Sequence, residues 1–219
     1  MFDNLVRVLQ QNYMVFLEGI LNAMYVSLIS LILALIVGVL GGVARYHDKG
    51  ISAKIAFGYV TVIRNTPLLV QIYFIFFGLP RLGINLSAIQ TGIIGLTLNS
   101  GAYITEMIRS GLQAIPKGQK EAAISLALTN GQIMRKILIP QAAPRVIPAV
   151  GGQFIQLVKD SCLLSMLAVL EITKAAANVG SNTFDFLEAY IISGLIYLFI
   201  NIILNLMVDQ VERKYRYSI

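Results

Sequence analysis

The sequence predicts an all-α fold: an integral membrane bundle of five transmembrane helices. Of its 219 residues 57% are hydrophobic and only 13% are charged, about half the charge expected of a soluble domain. Residues 19–44, 82–105 and 189–208 carry no charge at all, and about 20 apolar residues suffice to cross a bilayer. The basic residues behind the net charge of +6 lie mostly between the apolar runs, where orientation signals sit. They point to a membrane surface and not to nucleic acid.

Residues 1–18, with Asp3, Asn4, Gln10, Gln11, Asn12 and Glu18, lack the basic start and short apolar core of a cleavable signal. They read as a short segment at the membrane surface, ahead of a retained first span at 20–44. The second span, 55–79, contains Arg64 and Pro67. Proline removes a backbone donor and disfavours helix at the residue before it, so a kink is expected at Thr66, freeing a carbonyl for Arg64 or Asn65. Arg64, Thr66 and Pro67 are thus candidates for a gating hinge or a static kink. The third span covers 88–112. The fourth, 147–170, contains Lys159 and Asp160, which predicts a place inside the bundle. The fifth is 188–210.

Five spans put the termini on opposite sides. Placing 45–54, the edge of the third span, 113–146 and 211–219 in the cytoplasm puts twelve Lys/Arg there, Lys49 among them, and leaves three (Arg7, Arg81, Lys174) opposite. The positive-inside rule then puts the N-terminus outside and the C-terminus in the cytoplasm. The long cytoplasmic connection, 116–145, opens at Pro116 and closes through Pro140, Pro144 and Pro148. Residues Ala123, Ile124, Ala127 and Leu128 share one helical face, and Ile133, Ile137 and Leu138 another, on either side of Thr129-Asn130-Gly131. Two short amphipathic helices at a turn form either a docking knob or a loop resting on lipid headgroups.

Polar residues gather at the span centres: Asn99 and Ser100 in the third, Lys159, Asp160 and Ser161 in the fourth. Ser27 and Ser30 add hydroxyls from the first. Carboxylates at Asp160 and Glu106 cost several kcal/mol in a membrane unless compensated, and transporters place substrate near this depth. Adjacent helical residues point about 100° apart, so Lys159 cannot neutralise Asp160 well; Glu106 can pair with Arg109 across one turn. The candidate substrate residues are Asn99, Ser100, Asp160, Ser161, Glu106 and Ser27. Amide and hydroxyl would donate to an α-carboxylate, and Asp160 would accept from an ammonium. A second negative charge at Glu106 would favour basic amino acids.

The stretch EAAISLALTNGQIMRKILIPQAAPRVIP resembles the EAA loop of permease subunits of ABC importers of the polar amino-acid (His/Glu/Gln/Arg-type) class. Glu121, Ala122, Ala123 and Pro140 match; where the family usually has glycine, six residues after the glutamate, this chain has Ala127. RNTPLLVQIYFIFFGLP, LNSGAYITEMIRSGLQAIPKGQ and QLVKDSCLLSMLAVLEIT are similar to further family segments, with Ser161-Cys162 departing from the frequent KDTSL. The resemblance covers about half of the chain. It implies a bacterial inner-membrane importer working by alternating access, with a second permease chain, identical or related, and an extracytoplasmic amino-acid-binding protein. It also implies cytoplasmic ABC ATPase subunits that bind ATP and Mg and receive the EAA loop.

This chain has no phosphate-binding G-x-x-x-x-G-K-[ST] loop, so no cofactor is expected in it. A lone cysteine, Cys162, and a lone histidine, His47, provide no metal-ligand set and no nucleophile–base pair within the membrane, so no catalytic residue is assigned. An ion-coupled secondary transporter or channel would use the same buried charges but has no need of the EAA-like loop.

Overall fold

The structure, a computed structural model, describes residues 2–47 and 50–216. Lys49, counted for orientation, lies outside the described residues. The fold is all-α, as expected, with no strand among the described residues. It comprises α1 (Phe2–His47), α2 (Ile51–Arg64), α3 (Leu68–Tyr73), α4 (Ala88–Gln113), α5 (Lys117–Ser125), α6 (Asn130–Ile133), α7 (Ile139–Asp160), α8 (Ile172–Thr183) and α9 (Phe186–Arg216).

Two helices, over Asp3–His47 and Phe186–Tyr215, are each long and apolar enough to cross a membrane. Two bent pairs, Ile51–Arg64 with Leu68–Leu82 and Asn130–Leu167 with Ile172–Thr183, qualify when each is taken together. Helix α4 has 26 residues, about 39 Å at 1.5 Å per residue, which exceeds the hydrocarbon thickness. Gln90, Thr97, Asn99 and Ser100 make it less apolar than α1 or α9.

The breaks have local causes. At Asn12 the backbone leaves helical geometry (φ −126°, ψ 15°) and the side-chain amide donates to the Val8 carbonyl at 3.0 Å, the insertion that bends helices. Beyond and before this bend, Val8 and Phe16 are buried with Ala175, Ala176, Val179, Ala189 and Ile192. Residues 2–18 thus continue the first helix and pack on protein. Pro67 ends α2 as expected. The freed carbonyls are taken by Asn65, whose Nδ2 donates to Thr61 O at 2.7 Å, and by Thr66, whose Oγ1 donates to Val62 O at 2.9 Å. After α3 the chain passes through a π turn, Phe74–Gly78, and a 3₁₀ turn, Leu79–Leu82.

Three expectations about element boundaries are corrected. Pro140, Pro144 and Pro148 do not close a loop. They lie in α7, which runs on from α6 through a π turn at Met134–Leu138, and the wider π coil relieves the clash of the Pro140 ring with the preceding turn. The fourth span is not one α-helix over 147–170, because α7 stops at Asp160 and a 3₁₀ segment, Ser161–Leu167, follows. Ala168 closes that segment in the left-handed region (φ 60°). Finally, α8 has no counterpart among the expected spans. Its first turn is capped by Glu171, whose carboxylate accepts from the backbone N–H of Thr173 (2.8 Å) and Lys174 (2.6 Å) and from the Tyr197 hydroxyl (2.7 Å).

The chain divides into two compact units. One comprises Met1–Ile32, Pro67–Thr97 and Phe154–Asn205, the other Leu33–Thr66, Leu98–Gln153 and Leu206–Ile219. The first holds the cluster around Val8 and Phe16 and a second one around Val26, Ile72, Leu96, Leu157 and Leu164. The second is built where α1 crosses α4. A β-carbon at Gly41 would lie 2.6 Å from Thr105 Oγ1, and one at Gly42 2.7 Å from Ile108 Cβ, so only glycine permits this approach. Its other core joins Leu112, Ile115, Ala123, Ile133, Met134 and Leu138.

Candidate functional site

In the first unit Asp160 is the last residue of α7 and is half-buried. Its Oδ1 accepts a hydrogen bond from Gln156 Nε2 at 2.8 Å, the i,i+4 spacing that a helix provides. No ion pair to Asp160 occurs among the described residues. Ser161 is fully buried and spends its hydroxyl on the Val158 carbonyl at 2.8 Å, as serines in membrane helices commonly do. Ser27 is fully buried on α1 and its Oγ has no hydrogen-bond partner; Ser30 donates to Ile93 O at 3.3 Å. The switch from α to 3₁₀ geometry at Ser161 places the Asp160 carboxylate at a helix discontinuity, where transporters position groups that meet substrate.

In the second unit Asn99 and Ser100 are buried on α4. Ser100 Oγ accepts from Gln153 Nε2 at 3.1 Å, with both groups buried. The Tyr59 hydroxyl donates to Leu98 O at 2.5 Å. Gln153 and Tyr59 escaped the sequence reading. Gln153 had a signal, because Gln153, Gln156 and Asp160 recur at three- and four-residue spacing, one helical face.

Glu106 is also on α4, and its carboxylate is held from both sides. Arg45 Nη1 lies 2.5 Å from Oε2, Arg109 Nε donates to Oε1 at 2.7 Å, and Arg109 Nη2 is ion-paired to the same oxygen. The one-turn pairing with Arg109 expected from spacing is present, joined by an arginine from α1. Arg64 lies over the Tyr103 ring, 5.0 Å from its centroid, at the exposed end of α2. Thr66 and Pro67 are exposed beside it.

In the EAA-like segment α5 is the expected first helix. Glu121 and Ala122 are exposed, whereas Ala123 is only 2% exposed and packs into the core with Leu112 and Ile133. Ala123 therefore anchors the segment, and Glu121 and Ala122 face outward. A Thr129–Gln132 capping box starts α6, with Gln132 Oε1 accepting from Thr129 N at 2.9 Å. Ala127 sits in the turn between the two helices with φ 55°. Pro140 is exposed and helps to line an open cavity of about 460 Å³ with Pro116 and Pro144.

Residues 30–217 match the family described as "Binding-protein-dependent transport system inner membrane component". The chain is 36% identical over 199 residues to the arginine transport system permease protein ArtQ of Bacillus subtilis, covering 90% of this chain and 91% of that one. Over 209 residues it is 36% identical to the probable glutamine ABC transporter permease protein GlnM of the same organism, covering 95% and 97%. It is similar in structure to an amino acid ABC transporter crystallised with histidines, with a TM-score of 0.88, 32% identity and 94% and 96% coverage. An inward-facing structure of the MetNI methionine ABC transporter shares the fold, with a TM-score of 0.80 and 20% identity over 93% and 97% of the two chains.

Proposed function

The chain belongs to the family of inner membrane components of binding-protein-dependent transport systems, and from that premise we propose that it is the permease of an ABC importer that forms the translocation path for polar amino acids. Relatives named for arginine and glutamine support an amino-acid substrate. The observation that carries the site is Asp160: a carboxylate at a helix discontinuity, hydrogen-bonded to one neutral amide and in no ion pair among the described residues. Such a group is costly in a membrane until a cation reaches it, and every free amino acid brings an ammonium. Ser27, with an unsatisfied hydroxyl, and Ser161 belong to the same side of the path. Asn99 and Ser100 donate to the carboxylate of the passing substrate, with Gln153 orienting Ser100. Selectivity for basic side chains rests on Asp160, because the charge of Glu106 is already balanced by two arginines.

Five spans, made by α1, the bent pair of α2 and α3, α4, the bent pair of α7 and α8, and α9, put the N-terminus outside and the C-terminus in the cytoplasm. Two permease chains enclose the path, and an extracytoplasmic binding protein delivers the substrate. Glu121 and Ala122 dock on cytoplasmic ATPase subunits that carry ATP and Mg; Ala123, Ala127 and Pro140 shape that surface. Closure of the ATPases tilts the docked helices, and the breaks at Thr66-Pro67 and Asp160-Ser161 let the ends of the spans move to alternate access between the two sides. Co-purification of the chain with an ATPase, and loss of transport when that ATPase is inactivated, is the expected result. Transport that survives inactivation would support an ion-coupled carrier instead.

A further inference from the structure

The second unit holds a polar cavity of about 360 Å³ between α1, α2 and α4, lined by Arg45, Thr61, Arg64, Asn65, Tyr103 and Glu106 among others. Its volume is in the range that accepts one small ligand. Its charge is unbalanced. One carboxylate, Glu106, is ion-paired to both Arg45 and Arg109, and Arg64 brings a further positive charge that makes no ion pair among the described residues. The Arg64 guanidinium is steadied by the face of Tyr103, a cation–π contact that holds the group while leaving its N–H edge free to donate. Among the described residues Arg45 alone hydrogen-bonds to Glu106 Oε2, and a carboxylate oxygen has room for a second donor.

We infer that this cavity is a second binding station for the transported amino acid, in which Arg64 grips the α-carboxylate and Glu106 Oε2 accepts from the α-ammonium. The inference rests on the amino-acid reading above and adds a site that Asp160, Asn99 and Ser100 do not contribute to. Along α4, Glu106 follows Ser100 by six residues, about 9 Å of helix, in the direction of the cytoplasmic end in the orientation adopted here. The station therefore receives substrate on its way in. Arg45 and Arg109 hold Glu106 in place, and the net positive charge favours zwitterions and acidic side chains over basic ones.

The test uses the complete transporter, permease with ATPase, in lipid nanodiscs, and counts bound radiolabelled L-glutamine and L-arginine per permease chain at saturation. Uptake into proteoliposomes is measured alongside. The wild type is expected to bind two molecules of its substrate per permease chain. Arg64→Gln is expected to lose one of them and to slow uptake about tenfold, the cost of one charge-assisted contact. Arg64→Lys, which keeps the charge, is expected to retain part of the binding and shows that loss in Arg64→Gln is not misfolding. Asp160→Asn is expected to lose the other molecule. One bound molecule in the wild type, or unchanged binding in Arg64→Gln, overturns the second station while leaving the transport reading intact. A wild-type complex that takes up none of the twenty amino acids overturns both.

Discussion

Of the carboxylates in the spans of this chain, Glu106 and Asp160 meet the same cost of ionisation in a membrane and resolve it differently. Glu106 is ion-paired to Arg45 and Arg109, whereas Asp160 is hydrogen-bonded to the amide of Gln156 and makes no ion pair among the described residues. Asp160→Asn keeps the size and the hydrogen bond to Gln156 and removes the charge. It is expected to abolish uptake of every substrate with the complex still assembled, and unimpaired uptake would take Asp160 off the path. Glu106→Gln leaves two guanidiniums without their carboxylate, a loss of about 3–5 kcal/mol where such pairs are buried and less for this partly exposed cluster. A lowered thermal midpoint of the purified chain, with uptake of all substrates reduced alike because Glu106 Oε2 meets only the α-ammonium they share, is the outcome expected. A selective loss of basic substrates would instead restore Glu106 to the first site. The Glu106–Arg109 contact was legible in the sequence because helix spacing dictates it. Arg45, sixty-one residues earlier, was not, because only the close approach of α1 and α4 at Gly41 and Gly42 brings it there.

At the scale of elements, apolar length predicted α4, α9 and the part of α1 from residue 20 onward, but not residues 2–18, whose polar residues read as a surface segment; Pro67 predicted the break between α2 and α3. The 3₁₀ segment after Asp160 was hidden because an apolar run reads alike in either helical form. α8 was hidden because its buried alanines, Ala175 and Ala176, make a weak hydropathy signal. The three prolines at four-residue spacing read as loop punctuation, and they are absorbed by a helix that a π turn loosens ahead of them. Ala127 shows what the resemblance alone left unexplained. With φ 55° the position demands a left-handed residue, which accounts for the family's usual glycine. Alanine there costs about 1 kcal/mol, so Ala127→Gly is expected to raise the thermal stability of the α5–α6 turn by about that amount; an unchanged or lower midpoint would refute the strain. Exposed Glu121 and buried Ala123 also divide the docking test. Glu121→Lys is expected to weaken ATPase association with the permease fold unchanged, whereas Ala123→Asp buries a charge in the core of Leu112 and Ile133 and is expected to destabilise the segment itself. Wild-type association in Glu121→Lys would argue against docking through this face.

For the whole molecule, the outward faces of α1 and α9 are rich in exposed large apolar residues, Leu28, Ile32, Leu198, Phe199 and Ile203 among them, as lipid or a second chain would require. Mass measurement of the active complex in lipid is expected to give two permease chains, and a single chain per active complex would refute the paired path. Family membership is shown by the match over residues 30–217, and the proposed function turns on the cargo and its driving force. The most direct measurement is ATP-dependent uptake by the reconstituted complex with its binding protein, challenged in turn by each of the twenty amino acids and repeated with an ion gradient in place of ATP. Uptake that requires ATP, is competed by a subset of polar amino acids and vanishes in Asp160→Asn is the predicted result. Uptake driven by the ion gradient without ATP, or competed by no amino acid, would contradict the account.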